Sequence, residues 1–273
     1  MAASSIDPFR ISWVAIAIVI AGMAIVTMRK VDVESYLSEL KCMCFVINLE
    51  RNKERLLRFM IEYSRSDMAD VPLRPFAAID ASRIDIGRFV TAKTMRQIET
   101  TNSTGFRKYH HEMTAGAVGC FLSHISIMRM LIQDPQVTMY VIFEDDTTIP
   151  PVMYKALQKA ILDAPAGWDI VVFGYHFATM KEEAKNDNYE HLKTFWGTHA
   201  YCINKRGAQK IVKEYEEHKI GMQIDSMMSV LSKRGGLSVY AANGQWIRTK
   251  DMGSDIQVHV KHIEGIDPYD LDE

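Results

Sequence analysis

Residues 140–146 read Y-V-I-F-E-D-D, a short apolar run that ends in three adjacent carboxylates. A run of this length that stops at turn signals is typical of a buried strand whose carboxyl end opens into a cleft. Open α/β sheets bind ligands at such strand ends. Three carboxylates there repel one another and lose hydration unless a cation compensates them. The segment predicts a site for a hard cation such as Mg²⁺ or Mn²⁺, with a solvated acidic turn as the alternative.

The whole chain limits the classes of protein that fit. It has 273 residues, of which 48% are hydrophobic, and a formal net charge of -2. This length is enough for one sizeable α/β domain or two small ones. The near-neutral charge provides no basic surface, so nucleic-acid binding is not expected. The cysteines lie in apolar segments without paired C-x-x-C spacing, so we expect buried free thiols and no zinc site: Cys42, Cys44, Cys120 and Cys202.

An uncharged apolar segment occupies residues 11–28, followed by Arg29 and Lys30. As a helix it would span roughly 27 Å, about the hydrocarbon thickness of a bilayer. A cleaved signal peptide is the alternative, but this stretch is long and no small-residue cleavage site follows it. We therefore expect a tail over residues 1–10, one transmembrane anchor over residues 11–28 and a stalk over residues 29–41.

The rest of the chain alternates between short apolar strands and amphipathic helices, which predicts a layered, mostly parallel α/β sheet. Pro72 and Pro75 restrict residues 71–78 to an edge strand. Residues 82–113 are polar and predict loops or short helices, and residues 177–195 predict a mobile loop near the site. Further strands are predicted at residues 43–49, 168–173 and 199–203 and before Glu144, and helices around residues 56–63 and 156–161 and over residues 117–133, 207–215 and 223–231.

Taken in order, short motifs of this chain resemble those of glycosyltransferase family 25, the lipooligosaccharide and procollagen galactosyltransferases. G-A-V-G-C-F-L-S-H at residues 116–124 is similar to the family's G-E-x-G-C-x-x-S-H, although Ala117 stands where the family usually carries Glu. V-I-F-E-D-D at residues 141–146 is similar to its metal motif. The remaining matches are V-I-N-L-E-R-N-K-E-R at residues 46–55, A-I-D-A at 78–81, W-D-I-V at 168–171, G-T-H-A-Y at 197–201, Asp225 and S-D-I at 254–256.

The resemblance covers roughly residues 44–256 and implies both a fold and an activity. The implied fold is α/β, a GT-A-like, Rossmann-type mixed sheet flanked by helices over residues 42–258, with an acidic tail over residues 259–273. The implied activity is metal-dependent inverting transfer of a hexose, with galactose favoured, from a UDP-sugar to a glycan, lipooligosaccharide or protein hydroxyl. The alternatives are a membrane-anchored, non-catalytic sugar- or nucleotide-binding protein, suggested by Ala117, and a metal-dependent phosphohydrolase.

The resemblance also implies roles for the carboxylate triplet. Glu144 and Asp146 would meet the metal, Mn²⁺ or Mg²⁺, and the ribose of the donor, whereas Asp145 would lie behind them. A third ligand often comes from the C-terminal segment of this fold, so His259 or His262 is a candidate. The alternative is that H-V-K-H at residues 259–262 is an exposed tail.

A donor-binding edge is expected where the first strand ends. Asn48 and Arg51 lie at that point, and Arg55 follows one turn later and is placed to reach a phosphate. The alternative is that these side chains cap and salt-bridge the following helix. Two polar residues on the side of a predicted helix opposite its apolar stripe, and one in the A-I-D-A motif, complete the expected donor-binding set: Ser123, His124 and Asp80.

An inverting displacement needs a carboxylate base that takes the proton of the acceptor hydroxyl. Asp225 and Asp255 are the candidates. Asp225 falls in the first turn of a predicted helix, where stabilisation of the helix dipole is the alternative role.

The side of the membrane on which the domain lies is open at this point. Arg29, Lys30 and Lys41 follow the anchor, whereas Arg10 and the amino terminus precede it, and this charge bias favours a cytoplasmic catalytic domain. A lumenal domain in the Golgi or endoplasmic reticulum is the alternative, because anchored glycosyltransferases commonly lie there. The N-S-T sequon at Asn102 permits it.

Overall fold

A computed structural model describes residues 42–183, 188–242, 247–250 and 261–262. The expected tail, anchor and stalk over residues 1–41 lie outside the described residues, as do Asp255, His259 and residues 263–273. Within the described part of the chain, one helix, Ala115–Gln133, is long and apolar enough to cross a membrane. That helix is largely buried against the rest of the fold, as a core helix is.

The described residues form six α-helices, two short 3-10 helices (Ala81–Arg83 and Ile86–Arg88) and ten strands. The helices are α1 (Lys53–Arg65), α2 (Ala92–Thr104), α3 (Ala115–Gln133), α4 (Tyr154–Leu162), α5 (Lys205–His218) and α6 (Ile224–Lys233). The strands are β1 (Cys42–Asn48), β2 (Leu73–Ala77), β3 (Phe106–Arg107), β4 (Met139–Glu144), β5 (Ile170–Gly174), β6 (Phe177–Glu183), β7 (Tyr189–Trp196), β8 (Ala200–Asn204), β9 (Val239–Ala242) and β10 (Lys261–His262).

Eight strands form one mixed sheet in the order β2-β1-β4-β8-β5-β9-β7-β6, and β3 pairs with β10 separately. β1 is parallel to β2 and to β4, whereas β8 is antiparallel to both of its neighbours, β4 and β5. The α/β class and the mixed, helix-flanked sheet are therefore confirmed. The expectation of a mostly parallel sheet is wrong, because β8 and β7 each run antiparallel to both of their neighbours.

The centre of the sheet follows from its apolar runs. Residues 44–47 of β1 and 140–143 of β4 are buried, as expected of strands covered on both faces. β2 lies at the edge of the sheet, where Pro75, opposite Val46, costs no interior hydrogen bond. The predicted edge strand is therefore confirmed.

A β-hairpin replaces the mobile loop that was expected over residues 177–195. β6 pairs antiparallel with β7 at the edge of the sheet. In β7, Leu192, Phe195 and Trp196 are buried, whereas the polar residues Glu190, His191 and Lys193 are partly exposed. The polar composition thus marks the solvent side of an edge hairpin, and the prediction of a loop was wrong.

Helix α3 begins at Thr114, whose hydroxyl accepts the N–H of Ala117 at 3.1 Å. Ser123 and His124, which were predicted on the side of the helix opposite its apolar stripe, are fully buried. The helix is covered on that side by the segment after β2. A Cβ at Gly119 would lie 2.3 Å from the carbonyl oxygen of Ile79, so only glycine permits this close approach.

Candidate active site

The carboxyl ends of β1 and β4 and the first residues of β8 meet at one edge of the sheet. Because β8 is antiparallel to β4, Ala200 pairs with Phe143. The backbone N–H of Glu144 then donates to the carbonyl oxygen of His199 at 2.9 Å. Two residues 55 positions apart in sequence are thereby fixed side by side.

Glu144 lies among polar side chains from α3 and from the segment between β7 and β8. Its Oε1 accepts the Thr198 hydroxyl at 2.7 Å and lies 3.7 Å from Nε2 of His124. Its Oε2 lies 3.8 Å from Nδ1 of His199. Burial opposes ionisation, but the two imidazoles hold the pKa of Glu144 well below its ordinary value. The side chain is therefore an ionised acceptor.

The next two carboxylates have different partners. Asp145 forms an ion pair with Arg55 and accepts the side-chain amide of Asn48. Oδ2 of Asp146 lies 3.4 Å from a guanidinium nitrogen of Arg55. Its buried Oδ1 has no hydrogen-bond partner among the described residues. Burial and the neighbouring charge of Glu144 raise the pKa of Asp146 to about 6. Its oxygen is thus desolvated and only partly compensated, which is the environment that a bound cation would relieve.

A cavity of about 260 Å³ opens at this edge. On one side, Arg51 forms a 2.5 Å ion pair with Asp80, and the Arg51 side chain remains 48% exposed. On the other side lies α3, which contributes Cys120. The cavity brings together six residues of the expected donor and metal sets: Arg51, Arg55, Asp80, His124, Glu144 and Asp146.

Asn48 and Ser123 were expected to contact the donor. Among the described residues, neither of them lines the cavity. The buried amide of Asn48 donates to Asp145 and to the carbonyl oxygen of Asn52, so it supports the carboxylate cluster from behind. The hydroxyl of Ser123 is likewise buried and bonds to backbone groups. Direct contact of Asn48 and Ser123 with the donor stays a prediction.

Asp225 lies in the first turn of α6, as expected, and is buried. Its Oδ2 accepts the N–H of Gly197 at 2.8 Å, and its Oδ1 accepts the N–H of Ser226 at 2.7 Å. Gly197 has a φ of 94°, a conformation that glycine adopts without strain. Burial raises the pKa of Asp225, although both N–H groups oppose this.

Two histidines of the site were not singled out from the sequence. His176 and His199 make an edge-to-face contact with ring centroids 4.2 Å apart. Both ring nitrogens of His199 are buried and have no hydrogen-bond partner within the described residues. Their positions directly before β6 and directly before β8 were a usable signal, but only once β8 is known to run antiparallel.

The donor atoms fit a divalent cation. Carboxylate oxygens from two residues of the triplet converge on the cavity, and the unpartnered oxygen of Asp146 is a ready ligand. Oxygen ligands of this kind are those that Mg²⁺ and Mn²⁺ prefer. Ring nitrogens of His124 and His199 at this edge are also buried without a hydrogen-bond partner among the described residues. They are further atoms that can act as metal ligands.

The family of this chain follows from comparison with known proteins. The profile of the family described as Glycosyltransferase family 25 (LPS biosynthesis protein) matches residues 42–228, and the chain belongs to this family. It is 26% identical over 209 residues to procollagen galactosyltransferase 2 of Homo sapiens, covering 72% of this chain and 31% of that protein. It is 25% identical over 207 residues to inactive glycosyltransferase 25 family member 3 of Mus musculus, covering 72% of this chain and 33% of that protein.

The chain therefore spans about a third of the length of the curated relatives it matches. Among solved structures, it is similar to a Drosophila β-1,4-galactosyltransferase 7 variant in complex with manganese, UDP-Gal and xylobiose. The TM-score is 0.36 at 10% identity, over 74% of this chain and 65% of the other.

Proposed function

We propose that this chain is a metal-dependent inverting hexosyltransferase that uses a UDP-sugar, UDP-galactose first, and transfers the hexose to a hydroxyl of a glycan, lipooligosaccharide or protein. The observation that carries the proposal is the buried, unpartnered Asp146 oxygen beside Glu144 at a cavity that Arg51 and Arg55 also line. Carboxylates for a cation and guanidinium groups for phosphates are the two charges that a nucleotide diphosphate site requires.

Glu144 and Asp146 would hold Mn²⁺ or Mg²⁺, with His259 retained from the sequence as a candidate third ligand. When bound, such an ion offsets the charge that develops on the diphosphate leaving group. Asp145 is engaged by Arg55 and Asn48, so it serves to position the triplet.

The nucleotide would lie between the end of β1 and the start of α3. Arg51 is half-exposed and paired to Asp80 at the cavity, so its guanidinium is within reach of an entering phosphate. The choice of UDP-galactose rests on family membership and on the name of the human relative, a procollagen galactosyltransferase.

The general base would be Asp225, with Asp255 as the alternative. A buried carboxyl with a raised pKa is a better proton acceptor near neutral pH than an ordinary aspartate. Oδ1 of Asp225 accepts both the N–H and the hydroxyl of Ser226, whereas Oδ2 accepts only the N–H of Gly197 among its described contacts and keeps a further lone pair for an acceptor hydroxyl.

A non-catalytic binding protein is the second candidate, because Ala117 replaces the usual family Glu and one relative is named inactive. Ala117 is the third residue of α3, and its N–H is already capped by Thr114. A Glu at that position reaches back to the N–H of the N-cap residue in a capping box. The replacement of Glu by Ala therefore affects the N-terminal cap of α3. This favours the enzyme over the non-catalytic binding protein.

The test is release of UDP by the full chain, purified in detergent micelles, from UDP-galactose, UDP-glucose and UDP-N-acetylglucosamine with Mn²⁺. We expect metal-dependent release of UDP and sugar from a hexose donor even without an acceptor, since water can replace the hydroxyl. Asp146→Asn is the matched control and should release none. Tight UDP binding without any turnover on these donors or on a pool of glycan acceptors would favour the non-catalytic candidate.

A further inference from the structure

A cysteine and a histidine lie one helical turn apart on α3 and face the end of β4. Cys120 and His124 are four residues apart, so they share a face of the helix. Both line the cavity, together with Glu144. One ligating atom from each of these three side chains lies within 4.8 Å of the other two. The spacing rule for paired cysteines does not detect such a set, because its members come from a helix and a distant strand.

His124 is already oriented as a ligand. It is fully buried, and its Nδ1 is hydrogen-bonded to the Tyr201 hydroxyl at 2.7 Å. Its Nε2 is buried without a hydrogen-bond partner among the described residues and lies 3.7 Å from Oε1 of Glu144. Metal-binding histidines usually fix their ring through the second nitrogen in this way. A buried nitrogen without a partner is otherwise costly to the fold.

The chemistry of the three ligands differs from that of the carboxylate pair. A thiolate, an imidazole and a carboxylate form a mixed sulfur, nitrogen and oxygen set, which suits zinc better than Mg²⁺ or Mn²⁺. Glu144 is itself held by the Thr198 hydroxyl at 2.7 Å, which supplies a second orienting contact. Three protein ligands would leave one tetrahedral position open, and all three of these residues line the cavity.

We propose that Cys120, His124 and Glu144 form a zinc site, separate from the Asp146 oxygen that the proposed donor metal requires. Glu144 has two oxygens that point to different neighbours, Oε1 to His124 and Oε2 to His199. One carboxylate can therefore serve the zinc site through Oε1 and leave Oε2 to a second ion. The zinc site does not rest on the transferase activity, because it needs neither Asp146 nor a nucleotide.

Cobalt is the probe, because Co²⁺ bound to a thiolate shows a sulfur-to-cobalt charge-transfer band in the near ultraviolet. The metal-stripped full chain in detergent micelles is titrated with Co²⁺ and then with Zn²⁺. We expect one equivalent of Co²⁺ to produce the band and Zn²⁺ to remove it. Cys120→Ser should abolish the band, whereas Cys42→Ser, a matched control at a buried thiol of β1, should keep it.

Two further variants separate this site from the rest. Tyr201→Phe removes the hydroxyl at Nδ1 of His124 and should weaken Co²⁺ binding about 10–100-fold while keeping the band. Asp146→Asn should keep the band but lose metal-dependent UDP binding. The zinc site and the donor metal site are therefore tested independently of each other. Absence of the band in the wild-type chain, or its persistence in Cys120→Ser, would overturn the zinc site.

X-ray absorption on the zinc-loaded wild-type chain gives an answer that does not depend on the folding of any variant. We expect one sulfur at about 2.3 Å and nitrogen or oxygen at about 2.0–2.2 Å from zinc. A shell of oxygen and nitrogen alone would contradict the assignment of Cys120.

Discussion

The hydroxyl of Ser123 accepts the backbone N–H of Ile79 at 2.8 Å and donates to the carbonyl oxygen of Gly119 at 2.7 Å. This pair of bonds ties the middle of α3 to the segment that follows β2. Asp80, the next residue of that segment, pairs with Arg51 at the cavity. Ser123 therefore positions one wall of the candidate donor site without touching the cavity itself.

Ser123→Ala should destabilise the protein by about 1–3 kcal/mol, because the buried N–H of Ile79 loses its acceptor. It should also weaken UDP binding, since Asp80 is no longer held in place. Ser126→Ala is the control, because the Ser126 hydroxyl bonds only back to Leu122 within the same helix among its described contacts. Thermal unfolding and calorimetric UDP titration measure both effects, and equal behaviour of the two variants would contradict this role.

Asp146→Asn should reduce Mn²⁺-dependent turnover by two orders of magnitude or more, because a metal ligand supplies several kcal/mol of charge stabilisation. The metal-free variant should unfold at a temperature no lower than the wild type, since one of three crowded carboxylates has lost its charge. Steady-state assays and thermal unfolding in excess EDTA give the two readouts. Full activity of the wild-type chain in EDTA would refute the metal requirement.

Asp225→Asn should lower transfer by about 10²–10⁴-fold, the usual contribution of a general base, while UDP binding is retained. Asp255→Asn is made beside it, because either carboxylate can fill the role. Pre-steady-state rates and UDP affinity are measured for both. Near-wild-type rates in both variants would place the base elsewhere.

Asp134 gives the fold an acid-sensitive contact away from the site. Burial opposes its ionisation, but the N–H of Gln136 and the Tyr140 hydroxyl, each at 2.8 Å, hold its pKa below the ordinary 3.8. A depressed folded pKa stabilises the native state above pH 3.8, and this stabilisation is lost as the pH falls through the folded value. Asp134→Asn should cost about 1 kcal/mol at pH 7 and progressively less as the pH falls below 3.8. Melting temperatures of the two proteins across this range measure it, and a constant difference would contradict the linkage.

The membrane topology stays a prediction, with a single anchor at residues 11–28 and a cytoplasmic domain. Asn102 is exposed in the last turn of α2, so it is accessible to modification if the domain is lumenal. Protease treatment of sealed microsomes should digest the domain. A protected domain that carries glycan on Asn102 would show that it lies in the lumen.

Local patterns were sufficient to predict much of this fold. The apolar runs of β1 and β4, the proline-restricted edge strand β2 and the stripe of α3 each carry a signal that does not depend on distant residues. The position of Asp225 in the first turn of α6 could be predicted for the same reason. Thr91 and Gly105, a hydroxyl N-cap and a glycine C-cap, bound α2, but these signals were overlooked within a polar segment.

The features that could not be predicted from the sequence depend on contacts between distant segments. Nothing local shows that β8 runs antiparallel to β4, and that direction alone brings His199 beside Glu144. Ser123 was predicted on a polar face because the helix was treated as covered on one side only, whereas Gly119 allows the segment at Ile79 to cover the other. The β6–β7 hairpin was missed because an edge hairpin exposes half of its residues.

The most direct test of the proposed metal-dependent donor site is calorimetric titration of UDP into the full chain with Mn²⁺, without metal, and with Mn²⁺ in the Asp146→Asn variant. We expect Mn²⁺ to strengthen UDP binding at least tenfold and Asp146→Asn to reduce it to the metal-free value. We also expect UDP to bind more tightly than GDP and CMP. Equal UDP affinity with and without Mn²⁺, or tighter binding of GDP or CMP, would contradict the proposed site.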